Sequence, residues 1–251
     1  MDAIADNKSR AQHALPEPRA RVGLIVPSVN RMSEPQFNHF APAGLGIHVA
    51  RARITGPWRK PAIEMKEEIA RSAAALADSG PDLIVYHCTD SSMREGCAGE
   101  RTLTGIVREA TGIETVATSA LVIEAMRTLG IRSVVLLSPY QSNDVIISYL
   151  AENGIAVRHD VALKLNGHEF VAVRPQRWLE LARVHDRPDA DGIFLSCTNT
   201  TQIEAIEDIE LALGKPVVNS NQAVLWGCVQ RLGGKLGALP AMPALGRLMT
   251  A

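Results

Sequence analysis

The chain lacks the charge imbalance and the long apolar runs on which several classes of protein depend. Lys and Arg together number 26 against 27 Asp and Glu, so the formal net charge is -1. Nucleic acid and anionic membranes attract a basic excess, which is absent here. No apolar run approaches the roughly 20 residues of a membrane span, and the first residues lack the order of a signal peptide. We therefore expect a cytoplasmic protein with no nucleic-acid partner and no membrane partner.

Cysteines and aromatic residues are also few. Four cysteines in 251 residues are too few for a disulfide scaffold, and aromatic residues make up only 4% of the chain. The sequence contains no CxxC motif, and its histidines lack the spacing of metal ligands. The glycines at 44 and 46 do not form a GxGxxG motif that opens a helix. We predict neither a metal site nor a nucleotide-binding site from these patterns.

Short β-branched segments alternate with longer amphipathic segments from Val22 onward. The segments predicted as strands are 22–26, 47–54, 82–87, 115–117, 133–137, 155–161, 192–196 and 216–218. Those predicted as helices are 62–79, 94–110, 119–129, 142–153, 176–186, 201–213 and 221–231. This alternation is typical of an α/β protein with mainly parallel sheets.

Three sequence blocks recur in the same order in the two halves of the chain. VGLIVPSVN at 22–30 resembles VVLLSPYQSN at 134–143, and DLIVYHCTDSS at 82–92 resembles GIFLSCTNTT at 192–201. A third pair is TGIETVATSALVIEAM at 111–126 and LGKPVVNSNQAVLWGC at 213–228. An ordered repeat predicts two pseudo-symmetric α/β halves with parallel sheets and a site between them. The alternative is a single long sheet that carries coincidental motifs.

The repeat also suggests how the chain divides into lobes. Residues 1–20 mix small, polar and charged side chains without a sustained period, and we predict a disordered lead-in. We predict a first lobe from residues 21–112 together with 219–251, and a second lobe from residues 113–218.

Two of the four cysteines occupy equivalent positions of the repeat. Cys88 and Cys197 each follow a predicted strand, and ligands of parallel sheets bind at the carboxyl ends of the strands. Each sulfur would lie at the start of a helix, whose positive end would lower the pKa of the thiol. A lone cysteine there would more often be a buried hydrophobe, but the matched pair favours catalysis. Cys97 and Cys228 lack cysteine counterparts in the repeat, and we interpret them as structural.

Neutral hydrogen-bonding side chains surround the same strand ends. They are Ser28, Asn30, Thr89, Ser91, Ser119, Tyr140, Ser142, Asn143, Thr198, Asn199, Ser220 and Asn221, with Asp90 as a charged member. Each alone is typical of a helix cap or a turn. Together with backbone N–H groups, they could bind a small carboxylate without an excess of positive charge. Two facing thiols could then move a proton or attack a double bond beside that carboxylate.

These motifs resemble those of the aspartate/glutamate/hydantoin racemase superfamily. The resemblance lies within the branch of maleate cis-trans isomerases, arylmalonate decarboxylases and ectoine-utilisation proteins. It runs from about residue 21 to about residue 233 and is carried by RVGLIVPSVNRMSE, LLSPY, LSCTNT and GKPVVNSNQAVLW. It implies that Cys88 and Cys197 are catalytic, that Asn30 and Tyr140 bind substrate, and that no cofactor is used. It also implies a homo-oligomer.

Departures from the family pattern distinguish between its branches. The decarboxylases carry glycine at the first cysteine position, where this chain has Cys88. The racemases carry Asp-Ser after the first strand and CTH after the second cysteine strand, whereas this chain has Pro27-Ser28 and CTN. The isomerases use a further Asn, for which Asn166 and Glu169 are the nearest matches. The charge of Asp90, two residues beyond Cys88, would disfavour a thiolate there.

The resemblance therefore implies a cofactor-independent isomerase that acts on a small carboxylate. The expected reaction is cis-trans isomerisation of a maleate-like dicarboxylate by thiolate addition, bond rotation and elimination. The alternatives are a racemase of a small 2-substituted acid or hydantoin, a decarboxylase of a substituted malonate, and a non-catalytic carboxylate-binding protein. His87 precedes Cys88 on a strand, so its side chain should point to the opposite face and be structural.

Overall fold

Eight parallel strands form two four-stranded sheets in the computed structural model, which describes residues 17–237 and 242–251. The strands are β1 (Ala20–Pro27), β2 (Leu45–Ala52), β3 (Leu83–Tyr86), β4 (Thr115–Ala117), β5 (Ser133–Ser138), β6 (Ala156–Ala162), β7 (Gly192–Leu195) and β8 (Val217–Asn219). Their order is β2-β1-β3-β4 in the first sheet and β6-β5-β7-β8 in the second. The two orders are the same, so the predicted α/β fold with pseudo-symmetric halves is confirmed.

Nine α-helices connect the strands within the described residues. They are α1 (Ser33–Phe40), α2 (Lys66–Ala77), α3 (Thr89–Met93), α4 (Gly96–Thr111), α5 (Thr118–Thr128), α6 (Asp144–Glu152), α7 (Pro175–His185), α8 (Ile206–Leu213) and α9 (Ser220–Leu236). Short 3-10 turns lie at Gly56–Trp58, Ala62–Met65, Phe170–Ala172, Gln202–Ala205, Pro243–Leu245 and Arg247–Thr250. The sequence prediction missed α1 and α3, because both are short and polar and neither has an extended apolar period.

Burial explains why the inner strands are almost continuously apolar. All residues of β3, β5 and β7 are buried, since helices cover both faces of each sheet. The edge strand β6 instead alternates between exposed and partly buried residues. The apolar runs therefore mark the centre of each sheet.

Helix α9 connects the two halves. It follows β8 of the second sheet and packs against α5, α1 and β1, with most of its residues buried. Gly227 permits the close approach to α5, because a Cβ atom there would lie 2.5 Å from Cδ2 of Leu121. Asn219 begins the helix with a capping box in which its side chain accepts from the backbone N–H of Gln222.

One strand belongs to a different half of the molecule from the one in which the predicted lobe boundary placed it. β4 pairs with β3, so residues 115–117 belong to the first sheet, although the prediction placed 113–218 in the second lobe. The first sixteen residues of the predicted lead-in lie outside the described residues, and Ala20 already belongs to β1.

No helix among residues 17–237 and 242–251 is both long and apolar enough to cross a membrane. The same ranges contain no group of three or more His, Cys, Asp or Glu side chains that could hold a metal ion.

Candidate active site

The two matched cysteines lie at the carboxyl ends of equivalent strands, as the repeat predicted. Cys88 follows β3 and directly precedes α3, and Cys197 follows β7. Their exposed fractions are only 5% and 4%. Both thiols are free. Each four-stranded sheet thus has one buried cysteine sulfur at the carboxyl end of an inner strand.

The hydroxyl group of Ser220, the first residue of α9, joins the two cysteine segments. Its Oγ accepts from the Oγ1 of Thr89 at 2.8 Å and from the backbone N of Cys197 at 3.3 Å. Thr89 is the residue after Cys88, so one buried oxygen links the side chain next to one thiol to the backbone of the other cysteine. This contact fixes the two cysteine segments relative to each other.

Burial raises the pKa of both thiols. The pKa of Cys88 rises to about 12, first through desolvation and then through the negative charge of Asp90. Desolvation also raises the pKa of Cys197 to about 11, although the backbone N–H of Asn199 and the side chain of Tyr140 both lower it. The prediction of lowered pKa values is wrong, because desolvation outweighs the dipole of a helix start. Both thiols are neutral at pH 7.

Tyr140 lies beside the second cysteine. Its side chain lowers the pKa of the Cys197 thiol, and the phenol ring meets Phe170 edge-on at 5.9 Å between ring centres. Burial raises the pKa of Tyr140 well above its usual value, so the hydroxyl group keeps its proton. It can therefore donate a hydrogen bond to a thiolate at Cys197.

Asn30 bridges from the first half to the segment that follows the second cysteine. Its Nδ2 donates to Oγ of Ser33 at 3.0 Å and to Oγ1 of Thr198 at 3.1 Å. Its Oδ1 accepts from the backbone N of Ser33 at 2.9 Å and of Met32 at 3.0 Å. The amide is buried and its hydrogen bonds all go to the protein. A substrate carboxylate would have to replace one of the Nδ2 contacts.

Buried side chains extend the hydrogen bonds of Asn30 and Thr198 into a longer network. The Nδ2 of Asn221 donates to the backbone O of Thr198 at 3.1 Å and to Oε1 of Gln36 at 2.5 Å. Its Oδ1 lies 3.0 Å from Nε2 of His87, whose Nδ1 lies 3.0 Å from Oγ1 of Thr118. Asn221 Oδ1 can only accept, so Nε2 of His87 carries the proton and Thr118 donates to Nδ1. His87 therefore has the structural place that the sequence predicted, and it also connects the segments of both cysteines.

A model of the arylmalonate decarboxylase family matches residues 22–249. The chain belongs to this family. It is 34% identical to arylmalonate decarboxylase from Bordetella bronchiseptica over 187 residues, which cover 72% of this chain and 77% of the relative. It is 26% identical to maleate isomerase from Geobacillus stearothermophilus over 229 residues, which cover 84% of this chain and 91% of the relative.

A solved structure has the same fold as this chain. It is a cysteine-to-alanine variant of the maleate isomerase Iso from Pseudomonas putida S16, with maleate. The TM-score is 0.82 at 24% sequence identity, and the alignment covers 92% of this chain and 97% of that one. The predicted membership of this branch of the superfamily is confirmed.

Several further residues predicted for the site lie at the thiols. Thr89, Thr198 and Asn199 are buried beside the two cysteines. The backbone N of Asn199 donates to Sγ of Cys197 at 3.3 Å, and its Oδ1 accepts from the backbone N of Arg31 at 2.8 Å. Ser28 is half-buried at the end of β1, where its backbone O accepts from the side chain of Arg51 at 3.3 Å. Their roles in this family member stay predictions.

Two predicted substrate-binding residues have other contacts. Asn143 is buried and joins β5 to β6, because its Oδ1 accepts from Oγ of Ser138 and its Nδ2 donates to Oδ2 of Asp160 at 2.9 Å. Asn166 and Glu169 are both exposed, and the backbone N of Asn166 donates to Oε2 of Glu169 at 2.7 Å. The hydrogen bonds of these residues are therefore separate from those that link the two cysteine segments.

Sequence reasoning missed an ion-pair cluster around Asp90. Arg94 pairs with one carboxylate oxygen of Asp90, and Nη2 of Arg59 lies 2.9 Å from the other. The arginines partly offset the charge that was expected to disfavour a thiolate at Cys88. Arg94 is four residues from Asp90, a spacing that brings side chains together on a helix, but the predicted helix began only at residue 94. Arg59 lies 31 residues away on an irregular segment, so no periodic pattern indicates the contact.

The substitution Asp90→Asn should make Cys88 more reactive. It removes the negative charge that raises the pKa of Cys88 and leaves two arginines nearby, so the thiolate should form at lower pH. We expect iodoacetamide to modify Cys88 roughly threefold to tenfold faster at pH 8, as measured by peptide mass spectrometry. Asp144→Asn is the control, because Asp144 is also an acidic residue in the first turn of a helix, α6. An unchanged pH profile of Cys88 modification would contradict this electrostatic account.

His87 should make the free energy of unfolding depend on pH. Burial lowers its folded-state pKa to about 3, so the unfolded chain binds the proton first as the pH falls below 6.5. The stabilisation is present at pH 7 and decreases towards pH 3. The loss between pH 7 and pH 5 should be about 2 kcal/mol.

Urea unfolding of the wild type and of His87→Gln at both pH values measures this loss. The variant should be less stable at pH 7 but should lose less stability at pH 5. His168→Gln serves as a control, because the side chain of His168 is exposed. Equal pH dependence in the wild type and in His87→Gln would show that His87 is not the group responsible.

Proposed function

We propose that this family member is a cofactor-independent cis-trans isomerase of a small cis-dicarboxylate, with maleate as the first substrate to test. One observation carries the proposal: two buried thiols lie at equivalent strand ends and are tied through Ser220. The maleate isomerases among its relatives support this assignment. The family model and the relative from Bordetella bronchiseptica favour a second candidate, a decarboxylase of a substituted malonate.

Cys88 is the nucleophile in the proposed reaction. Its sulfur forms a bond to one alkene carbon while the π electrons move to the neighbouring carbon, which takes a proton from Cys197. The proton of Cys88 passes to Cys197, so one S–H bond is replaced by one C–H bond. The remaining carbon–carbon single bond rotates. In the elimination, Cys197 takes the proton back from carbon and the double bond re-forms as the C–S bond breaks. Cys88 regains its proton from Cys197, and the trans product is released.

The environment of the thiols suits this neutral exchange. Because burial raises both pKa values, two thiolates facing a dianionic substrate would be unfavourable. A proton passed between two thiols avoids that accumulation of charge. The Tyr140 side chain lowers the pKa of Cys197, so it stabilises the transient thiolate there. We assign Cys197 the acid and base role on this ground.

Neutral groups are suited to hold one carboxylate. The Nδ2 of Asn199 donates no hydrogen bond within the described part of the chain, while the backbone N of this residue contacts Sγ of Cys197. Thr198, Thr89, Ser28 and Asn30 are further candidates for this role. The absence of a cofactor, a cytoplasmic location and assembly as a homo-oligomer stay predictions.

Proton NMR in deuterium oxide tests the proposed function against its alternatives. We expect the wild type to convert maleate to fumarate and to leave phenylmalonate unchanged. Carbon dioxide release from phenylmalonate would instead favour the decarboxylase. Deuterium incorporation at the stereocentre of a chiral 2-substituted acid would favour a racemase, and binding without turnover would favour a carboxylate-binding protein.

Replacing either matched cysteine should abolish most of the turnover. Cys88→Ser and Cys197→Ser should each lower kcat by about 10²- to 10⁴-fold, because each removes a group that transfers protons or forms a bond. Cys97→Ser and Cys228→Ala are the matched controls and should retain kcat. Full activity in either of the first two variants would overturn the two-cysteine mechanism.

A further inference from the structure

Residues 53–61 follow β2, and this segment carries Arg59; Ile54 is buried and anchors its start. It contains the turn Gly56–Trp58, and every residue from 56 to 61 is exposed. β2 and β3 are parallel strands on either side of β1. The segment therefore begins at the carboxyl ends of the strands, where Cys88 also lies. The side chain of Arg59 then reaches back to the start of α3.

Asp90 orients the Arg59 guanidinium. Nη2 of Arg59 lies 2.9 Å from Oδ2 of Asp90, while Arg94 occupies the other carboxylate oxygen. The Asp90 side chain is only 15% exposed, whereas that of Arg59 is 41% exposed. The three charges sum to one positive charge, placed two residues beyond the nucleophile. The carboxylate is thus mostly covered, and Arg59 is the more exposed partner of the pair.

Most of the Arg59 hydrogen-bonding capacity is unused. A guanidinium has five N–H groups, and among the described residues the side chain of Arg59 donates only to Asp90. The neighbouring arginines donate to the protein instead. Arg31 donates to the backbone O of His168 at 2.8 Å, and Arg51 donates to the backbone O of Asn30 at 2.6 Å.

The charges of the cluster also act on residues of both halves. Asp90 raises the pKa of Cys88, of Cys197 and of Tyr140, whereas Arg59 lowers that of Cys88. Asp90 thus influences both cysteines, and Arg59 influences the cysteine that precedes α3.

We propose that Arg59, positioned by Asp90, binds the second carboxylate of the substrate and thereby selects dicarboxylates over monocarboxylates. The guanidinium presents a planar fork of donors that matches a carboxylate. Neutral donors around Asn199 hold the first carboxylate, and Arg59 supplies the charge for the second. This inference rests on the proposed carboxylate site at the two cysteines and names its substrate class.

Isothermal titration of the Cys88→Ser variant tests the inference without turnover. The probes are maleate and its monoamide, maleamate, which replaces one carboxylate by a neutral amide. Adding Arg59→Met should weaken maleate binding by about tenfold to a hundredfold, since charge-assisted hydrogen bonds are lost. Binding of maleamate should change less than threefold. Arg59→Lys keeps the charge without the fork and should restore part of the affinity for maleate.

Arg53→Met provides the matched control. Arg53 lies on the same segment and stacks over the Trp58 ring at 5.4 Å, but the described residues give it no contact with Asp90. It should leave the affinities for both probes unchanged. An equal loss for maleate and maleamate in Arg59→Met, or no loss for either, overturns the inference. Failure of the wild type to bind maleate also overturns it.

The wild-type assay keeps this result separate from the proposed function. If maleate binds with the Arg59 dependence described but is not isomerised, the carboxylate contact stands and the proposed reaction is wrong. If maleate is isomerised and Arg59→Met leaves its KM unchanged, the reaction stands and the Arg59 contact is wrong.

Discussion

The buried hydrogen bonds that join the two halves are the constraint on which the site depends. Ser220 receives hydrogen bonds from Thr89 and from the backbone of Cys197, so a single oxygen holds both cysteine segments. The backbone O of Thr198 accepts from Asn30 at 3.3 Å and from Asn221 at 3.1 Å. A small relative movement of the halves would leave these buried groups without partners, which costs more than the bonds themselves contribute. The separation of the thiols is therefore fixed by the fold.

The same burial that fixes the thiols also keeps them protonated. A thiolate in this interior would lose its hydration, and the nearby charge of Asp90 adds to that cost at Cys88. Solvent-exposed cysteines would ionise more easily, but the buried hydrogen bonds of Ser220 could not hold them in place. The two thiols are thus held in fixed positions and are weak acids. Exchange of one proton between two neutral thiols is the chemistry that such a combination permits.

The sequence predicted those features that depend on local periodicity. Apolar runs such as LIVY and IFL lie in central strands, so the predicted strands agree with the observed ones to within a few residues. Helix α1 was missed because its eight residues bury only Ser33, Gln36 and Phe37. The repeat identified the strand ends at which Cys88 and Cys197 lie. It could not predict their degree of burial, which reversed the expected direction of the pKa shifts, or the contact of Asp90 with Arg59.

The repeat makes the two halves of the site similar, and the residue two beyond each cysteine makes them different. Asp90 occupies this place after Cys88 and Asn199 occupies it after Cys197. Asp90 is charged and paired with arginines, whereas Asn199 is neutral and donates its backbone N–H to the sulfur. The pKa of Cys88 rises to about 12 and that of Cys197 to about 11, in keeping with this difference. In the proposed reaction, a symmetric dicarboxylate would therefore meet one cationic end and one neutral end, and this asymmetry would distinguish the thiol that adds from the thiol that transfers the proton.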